Sequence, residues 1–76
     1  MDKFQKYFLD IIQRYYIITI HLSNGEQFDI GKGGVDKDDV ACLPTCLSIS
    51  DAGTHLDFPY HAIVKVVKYG EKIWIQ

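Results

Sequence analysis

The segment from Tyr16 to Ile30 constrains the fold most strongly, because apolar and polar residues alternate on both sides of an Asn-Gly pair. The pair is Asn24-Gly25, and the apolar positions of the alternation are Ile18, Ile20, Leu22, Phe28 and Ile30. Such alternation is typical of half-buried strands, and Asn and Gly both tolerate the positive φ angles of a tight turn. The segment therefore predicts a β-hairpin with strands at about 16–23 and about 26–31.

The N-terminal stretch predicts an amphipathic helix over about residues 2–15. Its large apolar residues recur every three or four positions, which places them on one stripe of a helix. They are Phe4, Tyr7, Phe8, Ile11, Ile12 and Tyr15. Asp2 is a suitable N-cap residue. We expect the aromatic stripe to cover an open end or face of a small barrel.

Three further strands are predicted at about 45–50, about 55–68 and about 72–76, where apolar residues resume after turn signals. A loop from Gly31 to Asp39 separates them from the hairpin. One helix followed by five short strands with tight turns is typical of a small, strongly bent sheet or partly open barrel. We therefore predict a mainly β fold with an N-terminal α-helix, in a single domain over residues 1–76.

Composition limits the classes of partner. The chain has 76 residues, of which 47% are hydrophobic. A chain this short buries only about 60% of its unfolded surface, so this apolar surplus favours a partner, most simply another copy. The net charge of −2 argues against broad, non-specific binding of nucleic-acid backbones. Because no apolar run approaches the ~20 residues of a membrane span, we expect no membrane association and a cytoplasmic location.

Two segments resemble the motifs of Sm and Sm-like proteins. LSNGEQF, residues 22–28, is similar to the first Sm motif, and FPYHAIVKV, residues 58–66, resembles the second, particularly in the bacterial Hfq branch. The resemblance covers most of the chain and implies a small five-stranded Sm-like or SH3-like barrel that forms homo-oligomers and binds RNA. The sequence departs from the family at the longer loop after the hairpin and at Tyr60, where the Hfq segment has lysine.

Four residues are candidates for binding RNA or a small nucleotide: Lys32, Tyr60, His61 and Lys65. Lys32 lies in a glycine-rich loop whose backbone amides suit a phosphate, and the resemblance places His61 at an inter-subunit ligand pocket. The alternatives are that the glycines serve a bulge or tight turn and that His61 has a packing role. The loop lacks the Walker pattern, and we expect no cofactor.

A second set of residues has metal-ligand chemistry: Cys42, Cys46, His55 and His61. Their spacing loosely resembles that of zinc sites. The alternative is that the thiols are small buried hydrophobes and the histidines are partly exposed. An extended segment would hold the two thiols roughly 13 Å apart, which favours the alternative, and we expect no metal site.

The last predicted strand is apolar on both faces, which invites pairing with another chain. In the rings that the resemblance implies, the last strand pairs with a neighbour, so we predict a homo-oligomer interface at Ile63–Val67 and Ile73–Ile75. No nucleophile and base converge in the sequence. We therefore predict a non-catalytic oligomeric binding protein for single-stranded RNA or a small nucleotide. The alternative is a protein–protein interaction module, an inhibitor or adaptor, that uses the aromatic helix and the edge strands.

Overall fold

The computed structural model of the chain describes residues 2–71. The predicted N-terminal helix is present as α1 (Lys3–Arg14), and Asp2 caps it by accepting a hydrogen bond from the Phe4 amide at 2.9 Å. The helix buries Phe8, Ile11 and Ile12 on its inner side. It ends where the backbone of Tyr15 becomes extended and the chain passes directly into a strand. Among the described residues, no helix is long and apolar enough to cross a lipid bilayer.

The strands, in chain order, are β1 (Tyr15–Leu22), β2 (Gln27–Gly31), β3 (Val40–Cys42), β4 (Cys46–Asp51), β5 (Thr54–Pro59) and β6 (Ile63–Glu71). Short 3₁₀ turns, at Lys37–Asp39 and Tyr60–Ala62, precede β3 and β6. The strands form two antiparallel sheets, ordered β2-β1-β6 and β3-β4-β5. The hairpin predicted around Asn24-Gly25 joins β1 to β2, with Ile18 opposite Ile30 and Ile20 opposite Phe28.

This arrangement corrects the prediction of a small five-stranded barrel. Over residues 2–71 there are six strands, and they lie in two three-stranded sheets rather than in one closed barrel. Two irregular segments explain the difference. The loop after Gly31 carries the chain from one sheet to the other, and the turn Tyr60–Ala62 splits the strand predicted at 55–68 into β5 and β6. The strand predicted at 72–76 lies outside the described residues.

One hydrophobic core lies between α1 and the two sheets. Its buried members are Phe8, Ile11, Ile12, Ile18, Ile20, Ile30, Val35, Leu47, Ile49 and Tyr60. The inward residues of the hairpin are its centre, because Ile18, Ile20 and Ile30 are fully buried. Leu47 and Ile49 of β4 complete it from the second sheet. The alternation that predicts the hairpin therefore also selects the residues that build the core.

Gly31 fixes the point where β2 leaves the first sheet. Its φ is +125°, and a Cβ added there would lie 2.2 Å from the Tyr16 backbone oxygen. Only glycine combines this backbone conformation with so close an approach of another strand. The end of the hairpin thus depends on Gly31.

We expect Gly31→Ala to destabilise the fold far more than Gly33→Ala. Gly33 also has a positive φ, +85°, but no atom lies within 4 Å of a Cβ built there. Gly33→Ala should lower the free energy of unfolding by about 1–2 kcal/mol, because alanine is strained in a left-handed backbone conformation. Gly31→Ala should carry a similar penalty and lose about 1–3 kcal/mol more, because its Cβ displaces the backbone of β1. Urea unfolding followed by circular dichroism measures both. Equal losses would contradict the close approach of β1 and Gly31.

Candidate functional site

Tyr60 lies in the turn between β5 and β6 and is 7% exposed. Its ring is nearly parallel to that of Phe8, with centroids 5.4 Å apart, and to that of Phe4, at 6.0 Å. Its hydroxyl donates a 2.6 Å hydrogen bond to the backbone oxygen of Leu43, in the turn after β3. Tyr60 therefore joins the helix to a turn of the second sheet. This residue, a candidate for ligand binding in the sequence, has its ring and hydroxyl engaged within the protein.

An open groove of about 470 Å³ runs beside Tyr60, between the N-terminal half of α1 and the start of β6. We call it the α1/β6 groove. It is lined by Lys3, Phe4, Tyr7, Phe8, Tyr60, Ile63, Val64, Lys65 and Val66. Apart from the two lysines and the hydroxyl groups of Tyr7 and Tyr60, these side chains are apolar. The groove is therefore an apolar trough with a positively charged side chain at each wall.

Exposed apolar side chains gather at this groove. The large hydrophobic residues that the described structure leaves exposed are Phe4, Tyr7, Tyr16, Leu43, Val64 and Tyr69. Phe4, Tyr7 and Val64 line the groove, and Leu43 is held next to it by Tyr60. We call these four residues the Tyr60 patch. Single exposed apolar residues are ordinary, but a cluster of them is typical of an interaction surface.

Lysine side chains surround the Tyr60 patch. The ammonium of Lys3 lies over the ring of Phe4, 5.4 Å from its centroid. That of Lys68 lies over Tyr7 and Tyr15, at 5.8 Å and 5.4 Å. Such cation–π contacts hold a charge beside an aromatic surface. Together with the exposed Lys65, they make this part of the surface positive, although the whole chain has a net charge of −2.

The structure separates the four residues expected to bind a ligand. Tyr60 and Lys65 line the α1/β6 groove, whereas His61 is exposed in the adjoining turn and is not among the lining residues. Lys32 lines a different cavity of about 470 Å³, formed by the loop after β2. The expected set therefore does not converge on one site. Phe4, Tyr7 and Val64, which the sequence did not assign as ligand-binding residues, also line the groove.

The zinc set is not brought together either. Cys42 lies opposite Leu47 in the β3–β4 pair, so Cys46, one residue before Leu47, projects from the other face of the sheet. His55 lies on β5, and its Nδ1 is 3.1 Å from the Ser50 hydroxyl oxygen. Among residues 2–71, no group of three or more His, Cys, Asp or Glu side chains is placed to hold a metal ion.

Burial keeps the thiol of Cys42 and the phenol of Tyr60 protonated. Desolvation raises the pKa of the Cys42 thiol to about 11, so at neutral pH it is not the thiolate that a metal ion or an electrophile requires. Desolvation, followed by the nearby cysteines and Asp2, raises the pKa of Tyr60 to about 12. The phenol therefore stays protonated and continues to donate its hydrogen bond to Leu43. Neither group is a base at physiological pH.

The lining of the α1/β6 groove offers positive charge and apolar surface to a ligand. Of the described residues that line the groove, none is a serine, cysteine, histidine or carboxylate. Lysine ammonium groups and apolar rings recognise a surface through charge and shape. Comparisons of the chain with protein-family models, with curated proteins and with solved structures found no match in any of the three.

Proposed function

We propose that this chain is a non-catalytic protein–protein interaction module whose binding surface is the Tyr60 patch together with the α1/β6 groove. The observation that carries the proposal is the clustering of exposed Phe4, Tyr7, Leu43 and Val64 around a buried anchor. Interfaces place aromatic and aliphatic groups at the centre and polar groups at the rim. The patch has this composition, with lysines at its edge.

Recognition of single-stranded RNA or of a small nucleotide, expected first from the sequence, has less support. Base stacking needs an open aromatic face, and phosphate binding needs several cations along one path. Tyr60 is 7% exposed and stacks with Phe4 and Phe8. Lys32 and Lys65 line separate cavities. These positions favour a protein partner over a nucleic acid.

Self-association through β6 is a second candidate function, favoured by the position of this strand. In the described sheet, β6 is one of the two edge strands, and Val64 on it is 63% exposed. A long apolar edge strand invites pairing with another chain. The predicted interface segment Ile63–Val67 lies on this strand, and the other segment, Ile73–Ile75, lies outside the described residues.

The resemblance to Sm-like or SH3-like folds belongs to the same proposal, as does the cytoplasmic location expected from the sequence. The resemblance is supported by the order of a helix, a hairpin and, after the three-residue β3, the strands β4, β5 and β6, with a short turn between β5 and β6.

The patch is tested by comparing Val64→Asp with Tyr69→Asp. Both residues are exposed on β6, at 63% and 52%, but only Val64 lines the groove. Protein immobilised from wild type and from each variant is incubated with ribonuclease-treated extract of the source organism. We expect Val64→Asp to weaken binding of the captured partners by about 2 kcal/mol or more, roughly 30-fold, because a charge enters the apolar centre. Tyr69→Asp should leave it unchanged.

Equal capture by wild type and both variants would contradict the proposed surface. Partners captured from a parallel, untreated extract but lost from the ribonuclease-treated one would instead favour the RNA-binding alternative.

Light scattering at micromolar concentration tests self-association. A pair of β6 edges should give a mass above that of the 8.7 kDa monomer. Val64→Lys should lower this mass, because a lysine on an edge strand disfavours pairing. Gln27→Lys, on the opposite edge of the same sheet, is the matched control and should leave the mass unchanged. A monomeric wild-type protein would exclude this second candidate.

A further inference from the structure

We infer that the α1/β6 groove takes an extended, acidic segment of a partner protein, which adds as a further strand to the edge of β6 that faces away from β1. This inference rests on the proposed function and specifies the partner by its chemistry. Three features of the groove, as residues 2–71 form it, carry the inference: a strand edge with no partner strand, an apolar lining, and lysines with no carboxylate among the lining residues.

The edge of β6 supplies main-chain hydrogen bonds. β6 pairs with β1 along one side, and in the described part of the chain no strand pairs with its other side. The register of that pair shifts where Leu22 faces Ile63 and His21 faces Lys65, so Val64 is an extra residue. Such a bulge bends an edge strand locally and turns its side chains. An extended peptide satisfies the free main-chain groups by strand addition.

The apolar lining of the groove suits the alternate side chains of an extended peptide. Phe4 and Tyr7 form its helix wall, and Ile63 and Val66 lie on the strand side. Successive side chains of an extended peptide point to opposite faces, so every second residue enters the groove. Apolar or aromatic residues at these positions match the lining. Peptides that bind by strand addition gain affinity from the main chain and specificity from their alternate side chains.

The charges around the groove indicate which charge its partner segment carries. Lys3 and Lys65 line the groove, Lys68 adjoins it over the ring of Tyr7, and no acidic residue is among the lining residues described. Asp2, the acidic residue nearest in sequence to Lys3, accepts a hydrogen bond from the Phe4 amide as the helix cap. The lysines therefore favour carboxylates in the partner and disfavour a basic segment.

Charge also separates this partner from two other occupants. The segment 72–76 of a second copy carries Lys72 and no Asp or Glu, so its charge does not complement the lysines. Single-stranded RNA has the matching sign, but its phosphates gain little from an apolar lining. Its bases would stack on the exposed rings of Phe4 and Tyr7, where the ammonium groups of Lys3 and Lys68 already lie. An acidic segment with alternating apolar residues matches all three features together.

The test is selection from a phage-displayed library of random peptides of about 12 residues, long enough to pair along one edge strand, against immobilised wild-type protein. We expect enrichment of sequences in which Asp or Glu alternates with apolar or aromatic residues. A synthetic peptide of the enriched sequence, measured by fluorescence anisotropy, should bind at least about tenfold more weakly to the Lys3→Glu/Lys65→Glu double variant. Lys32→Glu is the control, because Lys32 is an exposed lysine of the other cavity, and binding should be retained.

Each other outcome overturns the inference. Enriched peptides that are neutral or basic, or that bind the double variant equally well, exclude the acidic partner. Such peptides leave the proposed function standing if Val64→Asp abolishes their binding. Failure to enrich any peptide, or preferential binding of single-stranded oligouridylate, excludes a peptide ligand. Insensitivity of every enriched peptide to Val64→Asp contradicts the proposed function itself.

Discussion

The packing of Tyr60 connects the parts of this small protein. Its ring stacks with Phe8 and Phe4 of α1, and its hydroxyl binds the backbone of Leu43 in the second sheet. A second contact also joins the helix to the second sheet, because the Gln5 side chain donates a 2.9 Å hydrogen bond to the Cys42 backbone oxygen. A chain of 76 residues has little core to spare, so a few long-range contacts of this kind fix how the helix sits on the sheets.

The exposed surface follows from the same packing. Tyr60 draws the N-terminal end of α1 onto the core and fills the space below it. The outer sides of Phe4 and Tyr7 are then left exposed next to β6, where Val64 is exposed as well. Lys3 and Lys68 lie over these rings rather than away from them. The aromatic stripe of α1 is wider than the core can bury, so its outer residues form one wall of the groove. The neighbouring lysines make the groove positively charged.

Local signals in the sequence predicted the local structure well. The Asn24-Gly25 turn and its flanking alternation gave the β1–β2 hairpin, and the helix stripe with Asp2 gave α1. The barrel prediction was wrong because β3 has three residues, too few to show a pattern, and because Tyr60–Ala62 interrupts an apolar run that looks continuous. Periodicity does not report such interruptions.

The candidate site was predicted only in part, because it depends on long-range contacts. Lys65 was named and does line the groove, but the partner of the Tyr60 hydroxyl lies 17 residues away in the chain, and no local pattern reports that bond. Phe4 and Tyr7 were recognised as part of the helix stripe. Their exposure depends on where the helix docks, and that position is set by tertiary packing.

The most direct test of this account is the free energy of unfolding of Tyr60→Ala compared with that of Tyr69→Ala. Tyr69 is 52% exposed, so its truncation should change stability by less than about 0.5 kcal/mol. Tyr60→Ala should lose about 3–5 kcal/mol, since it removes a buried aromatic ring and leaves a cavity under α1. Equal, small losses in the two variants would contradict a structure in which Tyr60 holds the helix and both sheets together.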